Sequence, residues 1–135
     1  MGKLNKILYV EDQQDIQMIA EYALTTIANY TVKTCSSGDE ALAEIEAFSP
    51  DLLLLDVMMP GLDGPETLQE IRKLSAYKNT PAIYMTAKIL PNEIDDLMSQ
   101  GAIAIISKPF DPVTLGDEIQ VLWDKVPTVS DTDND

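Results

Sequence analysis

With 135 residues the chain has enough material for one domain with a buried core. It contains no histidine and a single cysteine, Cys35, which excludes Ser-His-Asp triads, Cys-His pairs, intrachain disulfides and most zinc sites, and suits a cytoplasmic setting. A net charge of −14, from 23 acidic and 9 basic residues, repels phosphate backbones and anionic lipid, so neither nucleic acid nor membrane is an expected partner. No apolar run approaches the roughly 20 residues of a membrane span, and Met1–Asn5 is too short and polar to open a signal peptide.

Lys6 to Val10 is a short apolar run that reads as a buried strand and ends on two acids, Glu11 and Asp12. The helix that follows carries Ile16, Ile19, Ala20, Ala23, Leu24 and Ile27 at spacings that define one apolar face. Tyr30 to Cys35 is β-branched and partly alternating, as expected of a strand nearer an edge. Ser36 or Ser37 can cap the second helix, which turns Ala41, Leu42 and Ile45 inward and stops at Pro50.

Leu52-Leu53-Leu54-Leu55-Asp56 is the clearest element: four leucines between turn signals predict a strand buried on both faces, the mark of a parallel sheet. After the turn at Pro60-Gly61 and Gly64, a third helix presents Leu68, Ile71 and Leu74. Pro81 to Thr86 is the fourth strand, and Pro91 opens a helix bearing Ile94, Leu97 and Met98 that stops at Gly101. Ala102 to Ser107 is the fifth strand, ending on Lys108. The last helix uses Leu115, Ile119, Leu122 and Val126 with Trp123 beside that stripe, and Thr128 to Asp135 is a polar tail expected to be disordered. Alternation of this kind predicts an α/β, doubly wound, five-stranded parallel sheet with five helices, for which the flavodoxin-like order 2-1-3-4-5 is the common solution. The domain is expected to span residues 1–126, with 127–135 as an acidic tail.

Parallel strands bring Glu11, Asp12, Asp56, Thr86 and Lys108 to one edge of the sheet, where ligands bind in such folds. Each has an ordinary explanation alone: strand-end aspartates cap turns, acid pairs cap helices, and lysines line surfaces. Together they do more. Three converging carboxylates need a counter-charge, and hard oxygen donors favour Mg²⁺, with Mn²⁺ as the alternative ion. A lysine and a threonine hydroxyl can hold phosphoryl oxygens, which equips Asp56 to become an aspartyl phosphate.

Over about residues 5 to 125 the chain resembles the receiver domain of two-component response regulators. The resemblance is carried by Ile7-Leu8-Tyr9-Val10-Glu11-Asp12, Asp56-Val57-Met58-Met59-Pro60-Gly61-Leu62-Asp63-Gly64, Met85-Thr86-Ala87 and Ser107-Lys108-Pro109-Phe110. It implies transfer of a phosphoryl group to Asp56 from a phosphohistidine on a histidine kinase or phosphotransfer protein, and an unnamed downstream protein target. It implies Asp12, Asp56 and the main-chain carbonyl of Met58 as metal ligands, with Glu11 acting through water. Thr86, Ala87 and Lys108 would serve the phosphoryl group and its switch, and the Lys108-Pro109 bond would be cis.

One departure concerns the family's switch aromatic, whose position on the fifth strand is held here by Ile105. Met58 and Lys88 flank the approach of the hydrolytic water, and an apolar Met58 cannot orient it, so slow autodephosphorylation is expected. Ile103 and Ile105 are either ordinary core or an apolar stripe beside the fourth and fifth helices, a face receivers use for targets or homodimers. Outward members of the set Gln13, Ile16 and Ile19 resemble a kinase-docking patch, while Cys35 reads as packing. A stand-alone receiver is the leading expectation, with a fragment of a longer regulator as the alternative. A phosphatase of the haloacid-dehalogenase type is weak, because it needs a second aspartate where Met58 stands. An FMN-binding flavodoxin is also disfavoured, because Glu11-Asp12-Gln13-Gln14 has the wrong charge for a phosphate loop.

Overall fold

The structure is a computed structural model, and it describes residues 2–87 and 91–126. In chain order its elements are β1 (Lys6–Val10), α1 (Gln14–Tyr22) running into a π-helical turn (Ala23–Ile27), β2 (Thr31–Cys35), α2 (Gly38–Phe48) and β3 (Leu52–Asp56). Then follow α3 (Gly64–Arg72), a short 3-10 turn (Ser75–Tyr77), β4 (Ala82–Thr86), α4 (Pro91–Ser99), β5 (Ala104–Ser107) and α5 (Leu115–Asp124). The strands form one parallel sheet in the order β2-β1-β3-β4-β5, as the alternation of strands and helices predicts. The all-leucine strand β3 is central and buried along its whole length.

Side-chain alternation splits the core in two. Leu8, Val10, Leu53, Leu55 and Tyr84 face α2, α3 and α4, where Ile45, Ile71 and Leu97 meet them. Ile7, Tyr9, Leu52, Leu54, Ile83 and Met85 face α1 and α5, meeting Ala20, Leu24, Leu115, Ile119 and Trp123. Local chemistry fixes the helix starts near the functional edge. Ser37 accepts a hydrogen bond from Glu40 N at 3.0 Å at the head of α2. Asp63 and Glu66 form a reciprocal capping box at the head of α3.

Four expectations are corrected. Along α1 and its π-helical turn, Ala20, Ala23 and Leu24 are buried, but Ile19 and Ile27 are 48% and 41% exposed. The regular 3.6-residue period does not continue past Tyr22: the wider π turn carries Ile27 off the buried face. In α5 the inward stripe is Leu115, Ile119 and Trp123 at steps of four, with Leu122 and Val126 only half-buried. The indole brings the larger apolar area, and its N–H donates to Gly2 O at 3.0 Å. Leu74 packs against the core as expected, but from beyond the end of α3, and Met98 is largely outside the core. Ile103 and Ile105 do not share a face. Ile105, in register with Tyr84, joins the α2–α4 side, whereas Ile103 precedes β5, outside the pleat, and joins the α1/α5 side. The acidic tail and Lys88 lie outside the described residues.

Candidate functional site

All five strands point the same way, so their C-terminal ends deliver the expected groups to one edge. Glu11 follows β1 and stays in extended pairing, its N–H donating to Cys35 O at 3.0 Å. Asp56 closes β3, Thr86 closes β4, and Lys108 follows β5 with its N–H on Thr86 O at 2.9 Å. Glu11, Asp56 and Thr86 are buried polar residues, while Asp12 is half-buried beside them.

The Lys108 ammonium joins two of the acids. Its Nζ donates to Glu11 Oε1 at 2.6 Å and to Asp56 Oδ1 at 3.0 Å. Glu11 Oε2 also accepts from Gln13 N at 3.2 Å, and its main-chain carbonyl accepts from the Gln17 amide. Burial raises the Glu11 carboxyl above its ordinary value, and Asp56 adds to that, while Lys108 opposes it. For Lys108, burial works to lower the amine, but hydrogen bonds to Glu11 and Asp56 outweigh it and hold the group charged.

One carboxylate oxygen from each of Glu11, Asp12 and Asp56 lies within 4.8 Å of the other two. This is a compact set of hard, anionic oxygens, which suits Mg²⁺ better than a soft metal. Lys108 partly neutralises the set in the structure and would share it with an incoming cation.

A cavity of about 410 Å³ opens onto the site. Asp56, Thr86, Lys108 and Gln13 supply its polar lining, and Ile16, Ile19, Met58, Ala87, Pro109, Phe110 and Pro112 its apolar lining. Met58 is 73% exposed at the rim, and Ala87 is exposed beside it. The Lys108-Pro109 peptide is cis. Ile105 is half-buried one strand position below Ile106, away from the cavity. Sequence reading did not single out Phe110 and Pro112 as cavity wall, although they sit directly after the lysine. It also passed over Tyr9, whose buried hydroxyl closes no hydrogen bond of ordinary geometry among the described residues and whose phenol is raised above its ordinary value by burial and then by the charges of Glu11 and Asp56. The available signal was a phenol among the aliphatic residues Ile7, Leu8 and Val10, two residues before Glu11.

A doubly wound parallel sheet with an acid pair after the first strand, an aspartate after the third and a lysine after the fifth defines the receiver class of signalling domain. The chain belongs to the response regulator receiver domain family of two-component systems, whose family model matches residues 7–120. It is 39% identical over 124 residues to a probable transcriptional regulator, ycf27, of Cyanidium caldarium, covering 90% of this chain and 47% of that protein. It is 38% identical over 109 residues to the alkaline phosphatase synthesis transcriptional regulatory protein PhoP of Bacillus subtilis, covering 79% of this chain and 43% of that one. The chain thus spans about half the length of these curated relatives. Among solved structures, the chemotaxis protein CheY4 of Vibrio cholerae superposes with a TM-score of 0.82 at 32% identity, covering 89% of this chain and 99% of that one. No helix among the described residues is long and apolar enough to cross a membrane.

Proposed function

We propose that the domain takes a phosphoryl group onto Asp56 from a phosphohistidine on a histidine kinase or phosphotransfer protein. A free oxygen of the Asp56 carboxylate attacks phosphorus, the P–N bond breaks, and its electron pair returns to the partner's imidazole. The observation that carries this reading is the placement of Asp56 Oδ1 3.0 Å from Lys108 Nζ, within the cluster formed with Glu11 and Asp12. Asp12, Asp56 and the Met58 carbonyl would hold Mg²⁺, or Mn²⁺ in its stead, with Glu11 acting through water. The ion would neutralise charge on the transferring group. Lys108, the Thr86 hydroxyl and the Ala87 main chain serve the phosphoryl oxygens. The apolar wall formed by Ile16, Ile19 and Phe110 suits a partner helix that brings its phosphohistidine to the cavity.

The signalling module occupies residues 1–126, works in the cytoplasm and catalyses only its own phosphorylation and dephosphorylation. Its output passes through the face of α4, β5 and α5 to a protein target or a second copy. Met58 and Lys88 set how long the phosphoryl group survives. The test is intact-mass spectrometry after incubation with acetyl phosphate and Mg²⁺. A gain of ~80 Da that needs the metal and disappears in Asp56→Asn supports aspartyl phosphate chemistry. An adduct that persists in Asp56→Asn refutes Asp56 as the acceptor.

A further inference from the structure

The turn that carries Glu11 and Asp12 is held differently from its neighbours at this edge. Ser37 caps α2 and the Asp63/Glu66 pair caps α3, but Gln13, at the head of α1, makes no capping hydrogen bond through its side chain. Glu11 is fully buried, so its main-chain N–H and carbonyl both need partners. The N–H continues the sheet by donating to Cys35 O at 3.0 Å. The carbonyl accepts instead from a side chain, the Gln17 amide, six residues on in α1. The same Gln17 nitrogen donates to Ser36 Oγ at 3.1 Å, just after β2, and the Ser36 N–H donates to Glu40 Oε1 at 2.9 Å. One amide thus fastens the ends of β1 and β2 to each other and to α1.

The carbonyl that Gln17 holds belongs to the peptide joining Glu11 to Asp12. A peptide is planar, so fixing its oxygen fixes the direction in which the chain enters Asp12. Among the described residues, no hydrogen bond or ion pair aims the Asp12 carboxylate, which leaves its placement to the main chain. Glu11 Oε2 accepts from Gln13 N at 3.2 Å, so the same turn also sets the Glu11 carboxylate. Both acids lie with Asp56 in the cluster whose oxygens fall within 4.8 Å of one another, and Mg²⁺ tolerates little error in the placement of its ligands. We infer that Gln17 is a positioning residue: its amide fixes the Glu11–Asp12 peptide so that the two acids meet Asp56 in a geometry that holds Mg²⁺. This role rests on the phosphoacceptor reading above and deepens it. Thr86 and Lys108 come from the ends of β4 and β5, so Gln17 governs uptake of the metal and not the transfer step.

The test is isothermal titration calorimetry of Mg²⁺ into the full chain, comparing wild type with Gln17→Met, which keeps the stem and loses the donor, and with Ser36→Ala. Affinity in Gln17→Met should fall by about ten- to hundredfold, the range for loss of a group that orients a metal ligand. Ser36→Ala, a change at an exposed residue, leaves the amide on Glu11 without its second anchor and should weaken binding by about two- to tenfold, the scale of one hydrogen bond. At saturating Mg²⁺, phosphorylation of Gln17→Met by acetyl phosphate should return to within about threefold of the wild-type rate, because only metal uptake is impaired. Gly116→Ala controls for general loosening. Its Cβ would lie 2.3 Å from Ala28 Cβ, outside the acid cluster and the cavity, so the variant should melt at a lower temperature with its Mg²⁺ affinity unchanged. Wild-type affinity in either Gln17→Met or Ser36→Ala overturns the inference, and so does an equal loss of affinity in Gly116→Ala. A Gln17→Met rate that stays depressed at saturating Mg²⁺ overturns it as well. A wild type that binds Mg²⁺ but gains no phosphoryl group fails the phosphoacceptor reading instead, while the calorimetric comparison still decides the role of Gln17.

Discussion

Gly64→Ala tests how rigidly the backbone at Asp56 is held. Gly64 opens α3, and its N–H donates to Val57 O at 2.9 Å, tying the helix start to the end of β3. A Cβ at this position would lie 2.4 Å from Asp56 O, 3.0 Å from Val57 Cα and 3.1 Å from the Asp56 carbonyl carbon. These are backbone atoms, so no rotamer relieves the contact. Restoring ordinary van der Waals distance needs a shift of about 1 Å, and with both strand and helix fixed the cost falls near the top of the overpacking range, about 3 kcal/mol. Gly61 is the control from the same turn. Its φ is 73° and an added Cβ would meet nothing within 4 Å, so Gly61→Ala pays only for left-handed backbone, about 1 kcal/mol. Urea unfolding measures both, and the difference corresponds to a fall in melting temperature of about 10 °C against about 3 °C. Phosphorylation by acetyl phosphate should slow in Gly64→Ala by up to about 100-fold, because misplacement of a reacting group by 1 Å costs that much. Gly64→Ala no less stable than Gly61→Ala, or phosphorylated at the wild-type rate, would refute the reasoning.

Lys108→Met leaves Glu11 buried without its cation and should destabilise the domain by about 3 kcal/mol at neutral pH. Burial raises Glu11 in the folded state, so its ionised form becomes a cost as pH rises through the folded value; the loss should shrink toward pH 5 and on adding Mg²⁺. Thermal unfolding at both pH values checks this, and a pH-independent loss counts against Glu11 as the cause. Met58→Asn places an amide at the cavity rim that can orient water, and should shorten the aspartyl phosphate lifetime several-fold by intact mass; an unchanged lifetime removes Met58 from that role. Burial pushes Cys35 from 9.0 to about 12 and Tyr84 from 10.0 to about 12. Their raised folded values contribute stability that is whole below the unfolded values and is lost as pH climbs toward 12, each at about 1.4 kcal/mol per pH unit in between. Cys35→Ala should flatten the fall in stability between about pH 9 and 10 by one such slope, and an unaltered slope would show that the thiol is not buried in solution.

Much of the fold is legible because its cues are local. Four successive leucines can be buried on both faces only in a central parallel strand, and β3 is central. Ser37 and the Asp63/Glu66 pair announce their helices within one turn of sequence. The convergence of strand-end groups follows from parallel direction alone, and the structure brings Glu11, Asp12, Asp56, Thr86 and Lys108 to one edge. What stayed hidden depends on packing between distant segments. The π turn at Ala23–Ile27 carries Ile27 outward although its spacing fits an α-helical stripe. Ile103 precedes the point where β5 enters register with β4, so an alternation drawn from Ala102 assigns it the wrong face. The Lys108–Glu11 bond spans 97 positions of sequence, and no local pattern distinguishes a lysine serving one acid from a lysine serving two.

That shared lysine shapes how a signal can leave the site. The edge groups are coupled through β4 and β5: Lys108 N–H binds Thr86 O at 2.9 Å, and Tyr84, two residues before Thr86, is in register with Ile105. The Tyr84 hydroxyl in turn donates to Gln100 Oε1 at 3.2 Å, at the end of α4. An isoleucine at 105 has no ring to swing and no polar tip to exchange partners, so it can transmit a shift of β4 only by packing. Tyr84 offers a directional route, because its ring lies in the α2–α4 core and its hydroxyl reaches the residue that follows α4. A displacement of Thr86 toward a phosphoryl group would therefore be felt first at the Tyr84–Gln100 contact. Gln100→Ala, which removes that contact without touching the acids, should leave phosphorylation by acetyl phosphate intact. In the same variant, the phosphorylation-dependent change in amide protection of α4 should be lost. If that change persists, the signal travels through the packing of Ile105 instead.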